Sequence, residues 1–251
     1  MKKKLALILA GTAMAAMVLA GCGEKNNASG EDAKTAESVE DKKTFTVGFD
    51  AEYPPYGYMD ENGEYTGFDL ELAEAVCKLE GWELVKKPLN WDSKDMELNS
   101  GSIDCIWNGF TMNGREDDYT FSTPYVDNSQ VIVVAEKSGI DTLEDLAGKT
   151  VGVQAASAAL DLLKSEEEGG QKKLADTFGA LNEFADYNTA FTELQAGALD
   201  VLAIDVGVAN YQIKSRGDGY KILDETLNTE QYAIGFKKGN QELCDVVNAD
   251  L

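Results

Sequence analysis

The sequence predicts an α/β fold built from two similar lobes, and two observations lead to this prediction. From Thr44 onward, short apolar runs alternate with amphipathic stretches, which is the pattern of repeated strand–helix–strand units. Two sequence fragments then occur twice, in the same order, in the two halves of this region. Each half is therefore predicted to contain a strand, a helix, and a second helix that leads through a glycine into another strand.

The two repeated fragments are short, and it is their order that makes them informative. Residues 46–51 (TVGFDA) correspond to residues 150–155 (TVGVQA). Residues 97–106 and 193–202 share a Glu-Leu pair, then a glycine, then an aliphatic residue followed by aspartate. Either fragment alone is common in α/β proteins, so the shared order is the observation that predicts two related lobes.

The individual elements follow from hydrophobic periodicity. Leu70, Ala73, Val76 and Cys77 have helical spacing and predict a helix over residues 69–79, with Asp69 as a cap at its start. Further helices are predicted at residues 158–164 and 206–211, and short buried strands at 45–49, 103–107, 131–135, 150–154 and 200–204.

Polar residues follow corresponding strands in the two halves. Asp50 and Gln154 occupy equivalent places after the first strand, and residues 107–109 correspond to residues 203–205. Ligands of open α/β sheets bind just beyond the carboxyl ends of the strands. Two lobes that face each other would bring all four places to one cleft, which is where we expect a ligand.

Composition and charge exclude several classes of function. The 251 residues include 22 basic and 45 acidic side chains, for a formal net charge of −23, and no histidine. Histidine-based catalytic triads, histidine-ligated zinc and histidine pH switches are excluded. The acidity argues against a nucleic-acid partner, because phosphate binding requires a basic surface. A soluble acidic protein remains, one that binds a ligand or uses carboxylate chemistry.

The cysteines of the predicted domain are Cys77, Cys105 and Cys244. Their number is odd and no spacing among them is typical of a metal site, so neither a metal nor a cofactor is predicted. Buried free thiols are the expected state, although the sequence leaves open a disulfide between two of them.

The first 43 residues predict export and attachment to a membrane. Three lysines precede an uncharged run of 16 residues at 5–20, too short for a membrane-spanning helix, and residues 19–22 (LAGC) resemble a bacterial lipobox. We expect cleavage after residues 1–21 and acylation of Cys22, as in palmitate-bearing lipoproteins, and a flexible polar tether at 22–43. The alternative is an ordinary signal peptide. Cleavage would leave 19 basic and 45 acidic residues, a net charge of −26.

Arginine is scarce, which singles out Arg115. The chain has two arginines, and Arg115 follows an apolar strand and the Gly109–Thr111 segment. A guanidinium can hold a carboxylate with two hydrogen bonds, and the hydroxyl of Thr111 and the backbone N–H groups near Gly109 offer further donors. These residues predict a carboxylate receptor. The alternative is a surface ion pair of Arg115 with Glu116 or Asp117.

Four more residues are candidates for the same cleft. Ser157 and Asp205 each precede a predicted helix, so each is a potential N-cap. Ser157 would also suit an anion at the helix start, and Asp205 would suit an ammonium group opposite Arg115. Tyr53 and Trp91 follow strands, where they would form an apolar wall, although aromatic residues more often belong to the core.

These residues stand in motifs that resemble the amino-acid-specific family of extracellular solute-binding proteins, the receptors of ABC importers. The similarity runs from about Thr44 to the end of the chain. Its marks are residues 53–56 (YPPY), 67–69 (GFD), 107–111 (WNGFT), Arg115, 121–125 (FSTPY), 145–149 (DLAGK) and 231–232 (QY). The resemblance implies two lobes, at residues 44–128 plus 231–251 and at 129–230, joined by a two-stranded hinge that closes on the ligand.

The resemblance also implies roles for the candidate residues. Arg115 and Thr111, with Gly109 and Ser157, would hold the α-carboxylate of an amino acid, and Asp205 its α-ammonium. Tyr53 and Trp91 would sandwich the side chain. Asp50 would face its polar end, which favours an amide or a cation. The implied partners are an ABC transporter permease and the membrane, reached through the N-terminal lipid; the protein is expected to be a monomer and not an enzyme.

Other functions on the same fold stay open. A cleft enzyme, such as a dehydratase or a peptidoglycan-cleaving relative, could use Glu52 or Asp50 as a catalytic acid, and a ligand-sensing module is a third alternative. The sequence also departs from the family pattern. The Gly109–Arg115 interval is one residue shorter than usual, and the glycine that usually precedes Ser157 is missing. The chain stops at Leu251 within a predicted helix where relatives continue, as a fragment would.

Overall fold

The structure is a computed structural model that describes residues 39–217 and 219–251. Its strands are β1 Thr44–Phe49, β2 Glu52–Tyr53, β3 Gly57–Met59, β4 Tyr65–Thr66, β5 Glu83–Pro88, β6 Cys105–Ile106, β7 Tyr119–Phe121, β8 Val126–Ala135, β9 Thr150–Gln154, β10 Ala180–Phe184, β11 Val201–Asp205, β12 Tyr220–Ile222, β13 Asn228–Tyr232 and β14 Gly235–Lys237. Its α-helices are α1 Phe68–Glu80, α2 Lys94–Asn99, α3 Ala158–Lys164, α4 Lys172–Ala175, α5 Tyr187–Ala196, α6 Val206–Arg216 and α7 Gln241–Asp250. Short 3-10 turns lie at Val39–Asp41, Trp91–Ser93 and Leu143–Leu146.

Lobe 1 is organised by a five-stranded sheet in the order β5-β1-β6-β14-β7. Strands β5, β1 and β6 are parallel, and β14 runs antiparallel to β6 and β7. Helix α1 buries Leu70, Ala73, Val76 and Cys77 against this sheet, so the predicted helical face is confirmed. The small antiparallel sheet β2-β3-β4 adjoins this lobe.

Lobe 2 is organised by a sheet in the order β10-β9-β11-β8-β12, with β13 also paired to β8. Strands β10, β9 and β11 are parallel, whereas β8 is antiparallel to β11, β12 and β13. Parallel strands covered on both faces are nearly continuous in apolar residues, and Val201 to Ile204 are all buried. The predicted α/β fold of two similar lobes is confirmed.

The internal repeat corresponds to a repeated structural unit. Strands β1 and β9 hold the same place in the two sheets, each between two parallel neighbours. The carboxylate of Asp104 accepts a hydrogen bond from the backbone of Thr46 at 2.7 Å, and Asp200 accepts one from Thr150 at 2.8 Å. The shared aspartate of the second fragment therefore ties its strand to the first fragment in both lobes.

The two lobes are linked through the paired strands β8 and β13. Val126, at the start of β8, pairs with Tyr232, at the end of β13, and the two strands run antiparallel. Beyond them the chain enters β7 on one side and β14 on the other, and both belong to the sheet of lobe 1. This pair of strands is the place where the backbone passes from one lobe to the other.

Two local predictions need correction, and a third is not tested. Asp69 is not a cap: Gly67 precedes α1, and the carboxylate of Asp69 accepts hydrogen bonds from Gly109 and Tyr125 instead. The strand predicted at 103–107 is shortened to Cys105–Ile106, although backbone hydrogen bonds to β1 continue on both sides of it. The signal peptide and Cys22 lie outside the described residues.

The folded part also begins before residue 44, within the range assigned to the tether. Val39 packs on the core of lobe 1, and the ammonium of Lys42 pairs with Asp104 at 2.7 Å. The backbone of Lys43 accepts a hydrogen bond from Glu83. The polar composition of this segment concealed one partly buried apolar side chain and one specific ion pair. None of the helices between residues 39 and 251, residue 218 excepted, has the length and apolar character of a membrane span.

Candidate functional site

The predicted site residues divide between two cavities where the lobes meet. The first cavity has a volume of about 300 Å³ and includes Thr111 and Arg115 in its lining. The second has a volume of about 460 Å³ and includes Asp50 and Trp91. The remaining predicted residues do not line either cavity: Tyr53, Ser157 and Asp205 are buried, and Gly109 lies against the rings of Tyr53 and Tyr232. The structure therefore brings the predicted residues to one interface.

Arg115 projects from lobe 1 and contacts lobe 2. Its guanidinium donates a hydrogen bond to the carboxylate of Asp161, in helix α3, at 2.8 Å, and lies 5.0 Å from the ring centre of Phe110. It also donates to the backbone oxygen of Thr111 at 3.3 Å. The alternative of a local pair with Glu116 or Asp117 is wrong, since the paired carboxylate belongs to the other lobe. Among the described residues that line the first cavity, Arg115 alone is basic.

The segment before Arg115 is fixed by a buried carboxylate and by two aromatic rings. Asp69 accepts the backbone N–H of Gly109, and burial raises the pKa of Asp69 to about 7. Gly109 has a φ of +57°, and a Cβ there would lie 2.9 Å from Tyr232 and 3.1 Å from Tyr53. Both the backbone conformation and the space require glycine at this point. Thr111 is thereby placed at the wall of the first cavity.

Asp205 lies at the centre of a buried polar network. Its carboxylate accepts hydrogen bonds from Tyr232 at 2.6 Å, Asn128 at 2.8 Å and Gln130 at 2.7 Å. It precedes helix α6 but makes no side-chain cap, so the capping alternative for this carboxylate is wrong. Burial is the main cause that raises the pKa of Asp205 above its usual range.

Asp50 and Gln154, the equivalent residues of the two repeats, touch each other. The amide of Gln154 donates to the carboxylate of Asp50 at 2.6 Å, and the backbone of Glu52 donates to it at 2.8 Å. Burial raises the pKa of Asp50 to about 6 despite these two donors. Asp50 shares the second cavity with three other carboxylates, those of Glu52, Glu97 and Asp186, and Glu97 forms an ion pair with Lys87 outside it.

The aromatic candidates lie in two different clusters. The ring of Tyr53 is 5.9 Å from that of Tyr56 and 6.0 Å from that of Tyr187 in lobe 2. Trp91 packs on Phe110 at 5.8 Å and has the ammonium of Lys94 at 5.2 Å from its ring. Trp91 also lines the second cavity, whereas Tyr53 is a contact between the lobes. Their action on two faces of one side chain stays a prediction.

Ser157 caps helix α3, as one of its two predicted roles requires. Its hydroxyl accepts the backbone N–H of Leu160 at 3.2 Å and donates to the backbone oxygen of Gln154 at 2.7 Å. Helix α3 carries Asp161, so the cap also positions the partner of Arg115. The expected contact of Ser157 with an anion stays a prediction.

Comparison with known proteins identifies the family. Residues 45–251 match the bacterial extracellular solute-binding proteins, family 3. The chain belongs to this family. It is 30% identical over 238 residues to the L-cystine-binding protein TcyJ of Escherichia coli strain K12, covering 94% of this chain and 85% of that protein. It is 33% identical over 255 residues to the arginine-binding extracellular protein ArtP of Bacillus subtilis strain 168, covering 100% of this chain and 92% of that protein.

Solved structures of similar amino-acid-binding proteins agree with this assignment. A substrate-binding protein of an ABC uptake transporter from Streptococcus pneumoniae, with bound histidine, has a TM-score of 0.78 at 34% identity, covering 84% of this chain and 87% of that one. An ancestral arginine-binding protein bound to arginine has a TM-score of 0.75 at 38% identity, covering 83% and 91%. The family places the protein outside the cytoplasm, and because its members are solute-binding proteins, the prediction that the chain is not an enzyme is confirmed.

Sequence reasoning about this solute-binding protein missed Glu230. Glu230 is buried, lines the first cavity with Arg115, and accepts the hydroxyl of Thr111 at 2.7 Å. Strand β13 alternates between outward and buried positions, with Glu230 and Tyr232 buried. Because side chains two apart on a strand share a face, the motif residue Tyr232 was the signal that could have pointed to Glu230.

Proposed function

We propose that this solute-binding protein captures a polar amino acid between its two lobes and delivers it to an ABC importer. The observation that carries the proposal is the first cavity, which is lined both by Arg115, the single basic residue of the described lining, and by the buried carboxylate of Glu230. A zwitterion needs a cation for its carboxylate and an anion for its ammonium. A guanidinium and a buried carboxylate supply both with charge-assisted hydrogen bonds.

We propose that the second cavity receives the side chain of the amino acid. The carboxylates of Asp50, Glu52, Glu97 and Asp186 line it, and none of the described residues in its lining is basic. Such a lining favours a side chain that donates hydrogen bonds, that is a cation or an amide, over an aliphatic one. Relatives named for binding cystine, arginine, histidine and glutamine support this choice of class.

Closure of the lobes is the proposed mechanism of capture. An amino acid that bridges Arg115 of lobe 1 and a lobe 2 group stabilises the closed arrangement, because it contacts both lobes in that arrangement alone. The paired strands β8 and β13 would be the hinge, with lobes at residues 44–128 plus 231–251 and at 129–230. The exchange of Asp161 for the ligand carboxylate on Arg115 would accompany binding.

Attachment to the membrane through Cys22 completes the proposal. We infer cleavage before Cys22, acylation of its thiol with fatty acids such as palmitate, and a monomeric domain that meets an ABC transporter permease. The lipobox-like residues 19–22 support it. Metabolic labelling with a palmitate analogue, compared between the wild type and Cys22→Ser, is the test; equal labelling of both would contradict the inference.

A thermal-shift screen tests the proposed function directly. The twenty amino acids and cystine are each added to the purified domain, and the unfolding temperature is measured. A ligand at about 100 times its Kd adds roughly 2.7 kcal/mol of stability, an easily measured shift. We expect shifts from cationic or amide amino acids and none from aliphatic ones. A screen in which no amino acid shifts the unfolding temperature would contradict the proposal.

A further inference from the structure

Asp205 and Glu230 form a buried pair of carboxylates that share their donors. The side-chain amide of Asn128 donates to Asp205 and to Glu230, both at 2.8 Å. The amide of Gln130 donates to the same two carboxylate oxygens at 2.7 and 2.8 Å. Asp205 is 3% exposed and Glu230 is 5% exposed. The two amides therefore hold two acids of different strands side by side, out of water.

The side-chain carbonyl oxygens of the same two amides provide a second, independent indication of a cationic ligand. The carbonyl oxygens of Asn128 and Gln130 have no hydrogen-bond partner among the described residues, although the side chains are 4% and 0% exposed. Buried polar atoms are almost always paired, and an orphaned acceptor calls for a donor. Two carboxylates and two free carbonyl oxygens in one place are a set of acceptors that an ammonium group fits.

When no ammonium group is bound, repulsion between the two carboxylates favours the binding of one proton to the pair. Within the described residues, no lysine or arginine forms an ion pair with either acid. Burial raises the pKa of both carboxyls, and the charge of Asp205 raises that of Glu230 further. Two like charges so placed cannot both ionise at little cost, so ionisation of one carboxyl raises the pKa of the other, and we expect the pair to keep one proton.

The other titratable groups around the pair do not replace that proton. The phenols of Tyr53, Tyr56, Tyr187 and Tyr232 surround Asp205, and the pKa of each is raised. Across the first cavity, the charged groups are Arg115, Asp161, Glu167 and Glu168. Arg115 is paired with Asp161, and the phenols stay protonated at neutral pH. The phenols and Arg115 therefore keep their charge state, whereas burial raises the pKa of both carboxyls of the pair and so favours a bound proton there.

We propose that Glu230 is a second ammonium-binding carboxylate, and that the amino group of the captured amino acid displaces the proton that Glu230 shares with Asp205. This inference rests on the proposed amino-acid binding. The ligand enters as a cation at its amino group, one proton leaves the carboxyl pair for solvent, and no covalent bond to carbon changes. The hydroxyl of Thr111, now donated to Glu230, turns to the ligand carboxylate beside Arg115.

The replacement of a proton by the ligand ammonium predicts the direction in which affinity changes with pH. Binding that releases a proton becomes tighter as pH rises, because the proton and the ammonium compete for the same oxygens. Affinity for the amino acid should therefore increase from pH 5.5 to pH 8 in the wild type. Glu230→Gln keeps an acceptor for Thr111 but has no charge to offer, so its affinity should depend less on pH than that of the wild type above pH 7, where Asp50 is already ionised, and should be about tenfold or more below the wild type at pH 8.

Isothermal titration calorimetry at pH 7.5, in phosphate and in Tris, tests the inference with L-arginine, L-histidine, L-glutamine and L-cystine as probes. The two buffers differ in ionisation enthalpy, so the difference in heat counts the protons released. We expect release with the wild type and with the exposed control Glu242→Gln, and none with Glu230→Gln. Glu230→Gln should be at least as thermostable as the wild type, because it removes a buried charge.

The outcomes separate this inference from the proposed function. Binding of a probe by the wild type without proton release would overturn the inference and leave amino-acid binding intact, whatever the variant does. Equal proton release and equal affinity for the wild type and Glu230→Gln would also overturn it. Failure of the wild type to bind any of the twenty amino acids or cystine in the thermal-shift screen would overturn both. Loss of release in Glu230→Gln alone, with an affinity that depends less on pH than that of the wild type above pH 7, would support it.

Discussion

The two lobes share their internal contacts but differ at the ends of their strands. A Cβ on Gly48 would lie 2.5 Å from Ile103, and a Cβ on Gly152 would lie 2.4 Å from Leu199. The same close approach of a strand glycine to the aliphatic residue of the second fragment thus occurs in both lobes. The repeat preserves how strands pack within a lobe and leaves the residues beyond the strands free to vary.

The residues that vary are complementary across the interface. In lobe 1 the first strand is followed by Asp50, and in lobe 2 the equivalent strand ends at Gln154. The amide of Gln154 donates to the carboxylate of Asp50. Lobe 1 presents Gly109 where lobe 2 presents Asp205. Duplicated scaffolds can therefore carry two different halves of one site, because the strand ends contribute little to the core of each lobe.

The largest effect is expected at Arg115, which has no counterpart in the repeat of lobe 2. Arg115→Ala should abolish measurable amino-acid binding, since each charge-assisted hydrogen bond to a buried ion contributes about 1.5–3 kcal/mol. Arg115→Lys, which keeps the charge but loses the planar pair of donors, should retain weak binding. Calorimetry with the amino acid that gives the largest thermal shift is the measurement. Unchanged affinity in Arg115→Ala would assign the carboxylate to another residue.

Asp50→Asn removes the charge that distinguishes the two strand ends. The pKa of Asp50 is raised from 3.8 to about 6, so the folded protein binds more protons than the unfolded chain between about pH 4 and pH 6. The free energy of unfolding therefore falls as pH rises through this window. Asp50→Asn should remove that part of the fall and stabilise the protein by about 2 kcal/mol at pH 7 but not at pH 4.

Urea unfolding at the two pH values measures this difference, with Asp92→Asn as a control. Asp92 is exposed in the turn before helix α2. The control should follow the wild type at both pH values. A variant that gains no stability at pH 7 relative to pH 4 would show that the two donors to Asp50 offset its burial.

The glycines of the repeat test whether the lobes are equivalent in packing. Gly48→Ala and Gly152→Ala should each destabilise the protein by about 1–2 kcal/mol, because the new methyl meets a buried aliphatic end. The double variant Gly48→Ala with Ile103→Val, which removes the nearest atom, should recover part of the loss. Thermal unfolding measures all three. A large effect in one lobe and none in the other would contradict equivalence.

The smallest effect is expected from the shared aspartates. Asp200→Asn should cost about 1 kcal/mol, for one weakened hydrogen bond from the backbone of Thr150. Asp104→Asn should cost slightly more, because Lys42 also loses its partner. Denaturant unfolding of both variants at low and high salt compares them. The excess cost of Asp104→Asn should shrink at high salt, and an excess that persists would rule out the ion pair as its cause.

Much of the fold was predictable because the core repeats itself. The strand patterns around Val47 and Val151 are apolar and β-branched, helix α1 shows a clear apolar face, and the second fragments contain the same aspartate. These signals are local, and each lies within about ten residues. The cleft residues that follow the strands, such as Asp50 and Arg115, were predictable for the same reason.

The buried network at Asp205 was not predictable in the same way. The strands that carry Asn128, Gln130 and Glu230 have no distinctive sequence pattern. The contacts among these polar side chains arise only when β8 pairs with β13. These strands are about one hundred residues apart in the chain. Asp69 is a second case in which a distant contact was not predictable. It was expected to cap the helix start next to it in the sequence, but its carboxylate accepts the backbone N–H of Gly109, forty residues away.

The three thiols of the described domain all lie in one lobe, so their chemical modification can report the opening of that lobe. Cys77, Cys105 and Cys244 are free and buried, and all three belong to the apolar core of lobe 1. Burial raises the pKa of Cys77 and of Cys244 to about 11, so an alkylating reagent finds almost no thiolate in the folded state. Modification must wait for local opening. The rate of alkylation thus reports the opening of lobe 1 separately from lobe 2, without any engineered label.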